Sequence, residues 1–528
     1  MPSASQILAT ALEIEGEGSE EEVSVAIGAL LISAIKDGKP RVPLSRILQE
    51  VTQAGCASLL DPLDAVPVLL SSRDQAAKDL ISLMGECSSA KEVIIAVQES
   101  MEHIRASVQL EDEEDEGPNM KELSFPSQLN ILIGLYTSAV PRLKLRHKTA
   151  FETINPLLAE LQEIIPSMVS RATCEEGRAL ITSVSQVLNN ILKWITTSIS
   201  IKDDESLLFK GLLKSLLDCT IDSFANMIHS SLAQRTFEHL FPRFTIRPAL
   251  EAGWEGGREA VQDAIHAYQA LGFFINFSFI VPSTSSMVIM AHSDINAHER
   301  SQLLSNMIPI VLASIQANSA LDEALTILLK SLEPQQQAGL PDLAPEIIIP
   351  LCMVIPTLSS SHPDPLVRHQ AFRILSLLLA ASPGPLRFQI LSDLTIDQDL
   401  PQMRIAAVGL VKEALLDALT SSSNIFASSA FLRVFGPILF RPSPPELFGS
   451  ELTLGDFKDT PEPQRLTECL ALYYILLNRD TSNLTGIRDS STMLSIENAL
   501  LKPLRTHLRN WLDDPTVSGE WTWPVMPL

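Results

Sequence analysis

Aromatic residues are scarce in this sequence, at 5% of 528 positions, and the 22 glycines are outnumbered by 34 prolines. Leucine, isoleucine, alanine and serine dominate instead, a composition that favours helices over sheets. Hydrophobic residues make up 46% of the chain and the mean hydropathy is +0.18, so most of the chain must be packed. The composition therefore predicts many short helices that end sharply at prolines.

Basic residues are also few, because 39 lysines and arginines face 63 aspartates and glutamates, for a formal net charge of −24. Proteins that hold phosphate backbones do so with clustered Lys and Arg, so direct nucleic-acid binding is not expected. Residues 1–120 contain 22 acidic and 8 basic residues and thus carry −14 of the net charge. We expect this N-terminal part either to meet a basic partner or to keep the chain in solution.

Long hydrophobic runs are missing as well. The nearest approach to a membrane span, Ala270–Val281, is too short to cross a bilayer, and Pro282 follows it. The first 22 residues have neither a basic start nor an apolar run, so no secretory signal is expected. Six cysteines are scattered without CxxC spacing, and in a chain of this size they predict reduced core thiols of a cytoplasmic protein: Cys56, Cys87, Cys174, Cys219, Cys352 and Cys469.

Motifs that carry chemistry are absent from the sequence. No HExxH or GxSxG occurs, the ten histidines are isolated, and Gly16-Glu17-Gly18 follows no predicted strand. Cys174 stands at a predicted helix start, where a thiol pKa can be lowered, but two neighbouring glutamates oppose this effect. We therefore predict no catalytic, cofactor-binding or metal-binding residue. A thiol-based redox catalyst is retained as an alternative of lower rank.

One structural unit occurs twice between Ala344 and Leu419. Each copy has an apolar helix, a short polar turn with Asp and Pro, and a second, amphipathic helix. The offset of about 36 residues is close to the period of helix-pair repeats, roughly 34 to 47 residues. The second helices align on two patterns, Arg368-x-x-Ala371-x-x-x-Leu375 and Arg404-x-x-Ala407-x-x-x-Val411.

Helix pairs of this kind cannot cover their own apolar faces, so they stack on neighbouring pairs. The sequence therefore predicts an all-α fold, a HEAT/armadillo-like helical-repeat solenoid. The alternative is two ordinary helical hairpins in a non-repeating all-α domain, since two copies define a period less firmly than three. Asp364 and Asp399 are predicted to cap the second helices, with Pro365 at a first helical position.

The second helices also supply the candidate binding residues. Arg368 and Arg404 either contact a partner at the surface or bond to neighbouring turns inside the array. Arg404 and Lys412 are the candidate partner-binding residues, and charge reversal at either is expected to weaken binding without unfolding the chain.

Charge runs and loops predict four regions: an N-terminal acidic helical region over 1–110, an acidic linker over 111–118, a middle helical-repeat region over 119–335, and C-terminal HEAT-like repeats with a tail over 336–528. Like-charged blocks stay solvated, so the acidic tract at 111–116 predicts a boundary, with a partner-binding motif as its alternative. Trp521 and Trp523 in the tail either dock back on the fold or bind another molecule.

Four local expectations depend on finer signals. A helix is predicted to begin at Val23 after an acidic loop. Helices are also predicted at 143–154 and 156–165, with Pro156 either starting the second helix or making a kink. A further helix is predicted over Arg258–Ile280, and its apolar character after Ala267 indicates burial between layers. Residues 282–287 are predicted to be a loop.

The segments that begin at Asp364 (DPLVRHQAFRIL) and at Gln402 (QMRIAAVGLVKE) resemble the family that joins fungal Yap-binding proteins, the plant aberrant-lateral-root protein and animal glomulin. The resemblance covers about 75 residues well. It implies an all-α HEAT-like solenoid without catalytic activity. No short motif of the family transfers residue by residue to a binding surface here.

Two roles follow from the resemblance as expectations. The fungal members support the peroxide response by binding a bZIP stress factor, which makes such a factor the first expected partner. Glomulin blocks cullin ubiquitin ligases by binding their RING subunit, which makes that subunit the alternative partner. In either case we expect a protein partner, with no cofactor, nucleic acid, membrane or small-molecule substrate, and a cytoplasmic location with the nucleus as a second one.

Overall fold

The computed structural model describes most of the chain, and every regular element among the described residues is helical. The described residues are 3–14, 19–37, 39–111, 122–145, 149–198, 203–243, 250–272, 281–294, 300–332, 343–420, 424–449 and 452–513. The acidic tract beyond Glu111 and the tail with Trp521 and Trp523 lie outside them. The all-α helical-repeat fold predicted from the sequence is confirmed.

The chain divides into two compact units, and the first comprises Met1–Arg235 and Arg243–Ile327. Its helices pack both on the next helix along the chain, as α7 does on α6, and across intervening helices, as α9 does on α7 and on α12. These helices are α1 (Ala4–Ala11), α2 (Glu20–Lys36), α3 (Leu44–Ala54), α4 (Pro62–Leu70), α5 (Gln75–Cys87), α6 (Ala90–Glu111), α7 (Phe125–Ala139), α8 (Ala150–Ile164), α9 (Cys174–Ser198), α10 (Asp203–Phe224), α12 (Trp254–Ala270), α13 (Thr284–His292) and α14 (Arg300–Ala317).

The second unit comprises Thr236–Pro242 and Leu328–Leu528. Two helices supply residues to both units: α11 (Leu232–Leu240) and α15 (Leu321–Leu332). The rest of the second unit contains α16 (Pro345–Ser361), α17 (Pro365–Ala380), α18 (Gly384–Ile396), α19 (Pro401–Thr420), α20 (Ser429–Leu439), α21 (Leu454–Lys458), α22 (Glu462–Arg479), α23 (Ser490–Ile496) and α24 (Lys502–Asp513). A π-helical segment, Glu497–Leu501, joins α23 to α24.

The two copies seen in the sequence are two helix pairs, α16 with α17 and α18 with α19. The two helices of each pair pack on each other. Asp364 caps α17 as predicted, because its Oδ1 accepts the Leu366 N–H at 2.8 Å. The prediction for Asp399 is wrong. Because α19 begins at Pro401, Leu400 precedes it directly, and the Asp399 N–H donates to the Asp397 side chain at 2.9 Å.

Two helix starts differ from the sequence prediction because of their caps. α2 begins at Glu20 rather than Val23, since Ser19 caps it and three glutamates favour the positive end of the helix dipole. α8 begins at Ala150 rather than at residue 143 and continues through Pro156 to Ile164, so the two predicted helices are one helix. Its start is fixed by a capping box between Thr149 and Glu152, which outweighs one lost backbone hydrogen bond.

The region around Ala270 also differs from the prediction. α12 ends at Ala270 instead of Ile280, because Gly272 follows with a φ of +80° that leaves the helical path. Residues 273–280 lie outside the described part of the chain. The predicted loop at 282–287 is wrong from Thr284 onward, where α13 begins after a capping box formed by Ser283 and Ser286.

Candidate interaction surface

Arg368 and Arg404 occupy equivalent positions in the two helix pairs, and both bind backbone carbonyls at the end of the preceding helix. Arg368 Nη1 donates to the carbonyls of His362 at 2.6 Å and Pro363 at 3.0 Å. Arg404 Nε donates to the carbonyl of Thr395 at 3.2 Å. The last carbonyls of a helix have no intrahelical donor, so each arginine stabilises the turn within its own pair. Both arginines therefore bond to neighbouring turns inside the array, which is one of the two roles considered from the sequence.

Arg404 also reaches a buried ion pair on α22. Its Nη1 lies 3.6 Å from Glu462 Oε1, and the arginine side chain is only 12% exposed. Glu462 binds Arg465 in two places, at 2.6 Å and 2.7 Å. Burial and the nearby Arg465 charge lower the pKa of Arg404, an effect that the Glu462 carboxylate opposes.

Arg465 holds the chain that follows α20. Its Nη1 donates to the carbonyl of Ile438 at 3.1 Å, and its Nη2 donates to that of Arg441 at 2.8 Å. The Ser443 N–H donates to Glu462 at 3.3 Å. Burial alone would lower the pKa of Arg465, but the hydrogen bonds to Glu462 raise it above its ordinary value. The pair therefore fixes the end of α20 and the loop behind it against α22.

Lys412 lies two turns beyond Arg404 on α19 and is more accessible. Its side chain is 30% exposed and its Nζ lies 3.5 Å from Glu468 of α22, which is 40% exposed. Such a half-exposed ion pair contributes little to stability and can exchange partners at low cost. The two candidate binding residues thus share a helix but differ in their surroundings, and their role in binding stays a prediction.

A cavity of about 350 Å³ lies between α20 and the α23–π segment, in the second unit. Its lining contains two arginines, Arg433 and Arg441, and three hydroxyl residues, with no carboxylate. Both arginines are exposed. The remaining lining is mostly apolar: Leu432, Gly436, Pro437, Phe440, Ile496 and Ala499. We call this cavity the α20–α23 groove.

The first unit presents the opposite charge where α6 meets α8. Glu160 Oε2 accepts a hydrogen bond from Gln98 at 3.4 Å, and Arg105 pairs with Glu163 at 2.9 Å. Burial raises the pKa of Glu160, and repulsion from Glu102 and Glu163 adds to this, while the Gln98 hydrogen bond and Arg105 oppose it. We call Glu102, Glu160 and Glu163 the α6–α8 acidic surface.

The cysteines fall into two classes. Cys87 and Cys174 are exposed, at the last residue of α5 and the first residue of α9. The pKa of each of the other four thiols is raised by burial, to about 12 for Cys352 and about 11 for Cys469. A thiol with a raised pKa is a poor nucleophile at neutral pH, so these four are structural.

Sequence reasoning missed the groove and the buried ion pair. None of the residues Glu462, Arg465 and Arg441 was singled out from the sequence. One signal was present, because Glu462 and Arg465 stand three positions apart, the spacing at which two side chains are neighbours on one face of a helix. Among the described residues, no group of His, Cys, Asp and Glu is arranged to hold a metal ion, and no helix is long and apolar enough to cross a membrane.

The comparisons with known proteins bear on the second unit and the end of the first. Residues 270–516 match the protein family described as "Uncharacterised protein family, YAP/Alf4/glomulin". No curated protein matches the chain. The match includes both helix pairs, the buried Glu462–Arg465 pair and the groove, and it confirms the resemblance noted in the sequence. Over residues 270–516, somewhat less than half of the chain, the sequence is similar to the YAP/Alf4/glomulin family.

Proposed function

We propose that this protein is a non-enzymatic helical-repeat interaction protein that supports the response to oxidative stress by binding a bZIP stress transcription factor. The observation that carries the proposal is the family match over residues 270–516. The family supports a protein-interaction role, and the resemblance to its fungal members supports the stress factor as the partner. Stacked helix pairs provide the long surfaces that suit an extended helical partner.

Charge supports the same partner class. The basic region of a bZIP protein is a continuous, strongly positive helix. This chain carries a net charge of −24, which would attract such a helix over long distances. On the α6–α8 acidic surface, mutual repulsion contributes to the raised pKa of Glu160. A bound cation would relieve that repulsion, so this surface is the proposed contact for the basic region.

Lys412 and Arg404 are proposed as contacts for an acidic part of the same partner. Lys412 is the cleaner probe, because Glu468 is its only ion-pair partner among the described residues and both groups are half-exposed. Reversal of Arg404 would also break its bonds to Thr395 and Glu462. We therefore expect Lys412→Glu to weaken binding with the fold intact, whereas Arg404→Glu would disturb both.

The test is affinity purification of the tagged chain from peroxide-treated and untreated cells, followed by mass spectrometry. The proposal expects a bZIP factor among the retained proteins, in greater amount after peroxide. The purified pair is then measured by titration calorimetry with Glu102→Gln, and with Glu92→Gln on the same helix as the control. Loss of affinity with the first variant alone supports the acidic surface. Equal affinities would remove that surface from the proposal.

A second candidate, inhibition of cullin–RING ligases through the RING subunit, is favoured by the position of the family match in the C-terminal half. The resemblance implies that glomulin binds the RING subunit through its C-terminal repeats. Recovery of a cullin with its RING subunit, in equal amounts with and without peroxide, would replace the first proposal by this one. A ubiquitin-transfer assay with the purified ligase would then show inhibition by the chain.

A further inference from the structure

We propose that the α20–α23 groove binds an anionic peptide segment of a protein partner, through carboxylate or phosphoryl side chains held by Arg433 and Arg441. The proposal goes beyond the basic partner proposed above, because it concerns the opposite charge and a different surface. It starts from a contrast: on a chain with net charge −24, the lining of this cavity contains two guanidinium groups and no carboxylate.

Both guanidinium groups are available to a ligand. Among the described residues, none forms a hydrogen bond or ion pair with the side chain of Arg433 or Arg441, although most other arginines of the second unit have such a partner. Glu497 follows the lining residue Ile496 in the sequence, but its carboxylate pairs with Arg505 at 2.5 Å and not with either arginine of the groove. The positive charge of the groove is therefore not neutralised from within its own walls.

The other lining residues suit the same ligand. Ser491, Thr492 and Ser495 supply hydroxyl donors on the wall formed by α23, and hydroxyls bind carboxylate and phosphoryl oxygens. Leu432, Pro437 and Phe440 supply an apolar floor for the adjacent side chains of a peptide. A volume of about 350 Å³ is at the small end of ligand pockets, which suits two or three side chains rather than a folded domain.

The groove is held in shape before a ligand arrives. Arg465 bonds the carbonyls of Ile438 and Arg441, which flank the end of α20, and these bonds lie in the buried cluster with Glu462. The facing wall includes Ala499 of the π-helical segment, a rare form of helix that often marks functional sites. A pre-formed cationic wall lowers the ordering cost of binding.

The experiment uses the full chain and three pools of fluorescein-labelled nine-residue peptides. The pools have degenerate flanks and a fixed centre of Glu-x-Glu, phosphoserine-x-phosphoserine or Gln-x-Gln. Fluorescence polarisation should show binding of one or both anionic pools about tenfold or more tighter than the Gln pool, as expected for lost charge-assisted hydrogen bonds. Comparison of the Glu and phosphoserine pools distinguishes a constitutive acidic segment from a phosphorylated one.

Variants assign any binding to the groove. Arg433→Glu and Arg441→Glu should each weaken binding of the anionic pool about tenfold or more, with unchanged circular dichroism. Arg509→Glu makes the same charge change at an exposed position of α24 outside the lining, and it should leave the affinity nearly unchanged. Equal loss in all three variants, or no preference for the anionic pools, would overturn the proposal. Neither result bears on the bZIP or RING partner, which is tested separately.

Discussion

Glu462 and Arg465, one turn apart on α22, form a two-point ion pair in which each side chain is only 2–3% exposed. This pair also contacts Arg404 of α19, the carbonyls of Ile438 and Arg441, and the Ser443 N–H. Buried charges persist only where their hydrogen-bonding capacity is satisfied, and here several separate segments of the second unit supply the partners.

Removal of one partner tests this arrangement. Glu462→Ala would leave the Arg465 guanidinium buried without its counter-charge, so we expect the free energy of unfolding to fall by about 3–5 kcal/mol. Urea titration followed by circular dichroism measures the change. Glu468→Ala is the control, since Glu468 forms the half-exposed pair with Lys412 and should cost less than about 1 kcal/mol. Equal costs for both variants would show that the buried pair is not a stabilising junction.

A close helix approach in the first unit gives a second prediction. A Cβ at Gly257 of α12 would overlap the carbonyl oxygen of Ile228, which also accepts a hydrogen bond from Arg178 at 2.8 Å. Gly257→Ala should therefore reduce the free energy of unfolding by about 1–3 kcal/mol, through displacement of the backbone.

The control for this prediction is Gly134→Ala on α7. Gly134 is exposed and nothing lies within 4 Å of an added Cβ, so the substitution should stabilise the helix by about 0.5–1 kcal/mol. Thermal melting of both variants gives the signs. If Gly257→Ala also raised the melting temperature, the close approach would not be a constraint.

Thiol labelling gives a third prediction. In the native protein, maleimide should modify Cys87 and Cys174 first, because they are exposed and the other four thiols have raised pKa values. Mass spectrometry of tryptic peptides after short labelling times identifies the modified positions, and urea should make all six react.

The same labelling decides the thiol-catalyst alternative. A catalytic thiol would react with hydrogen peroxide far faster than its exposed counterpart, so a large rate difference between Cys87 and Cys174 would revive that reading. Similar, slow oxidation of both would remove it.

The pKa of Glu176 gives a fourth prediction, on pH dependence. Burial alone would raise this pKa, but hydrogen bonds from Ser124, Thr173 and Ser127 lower it below its ordinary value. A carboxylate with a lowered folded pKa stabilises the protein fully above its unfolded pKa, and the contribution is lost as the pH falls through the folded pKa. The stability difference between the native chain and Glu176→Gln should therefore be largest near neutral pH and shrink below about pH 4.5.

Urea titrations of both proteins at a series of pH values measure this difference. Glu175→Gln, an adjacent exposed position, should show little pH dependence. A difference for Glu176→Gln that grew as the pH fell would contradict the prediction.

The fold was predictable from the sequence because its signals were local and repeated. The Asp364–Pro365 start and the Arg368 and Arg404 spacing belong to helix pairs whose packing dictates the pattern. Starts set by a serine or threonine cap were harder, as at Ser19 and Ser283, because the cap precedes the apolar period that reveals a helix. The prediction of two helices around Pro156 was wrong for a related reason, because the capping box at Thr149 is a stronger signal than one interior proline.

The candidate sites were less predictable than the fold. The α20–α23 groove joins Arg433 to Ser491 and Ser495, which are about 60 positions apart in the sequence, and no period relates them. The α6–α8 acidic surface likewise depends on which faces of two separate helices meet. Only the tertiary packing places these side chains together.

Arginines that bind carbonyls at helix ends recur through the chain: Arg142, Arg178, Arg368, Arg404 and Arg465. None of these five side chains is fully exposed. Some of the few cationic side chains are thus directed into the protein. The solvent-exposed surface is therefore more negatively charged than the formal net charge suggests. Two copies of the chain should therefore repel each other in dilute buffer, and added salt should weaken that repulsion.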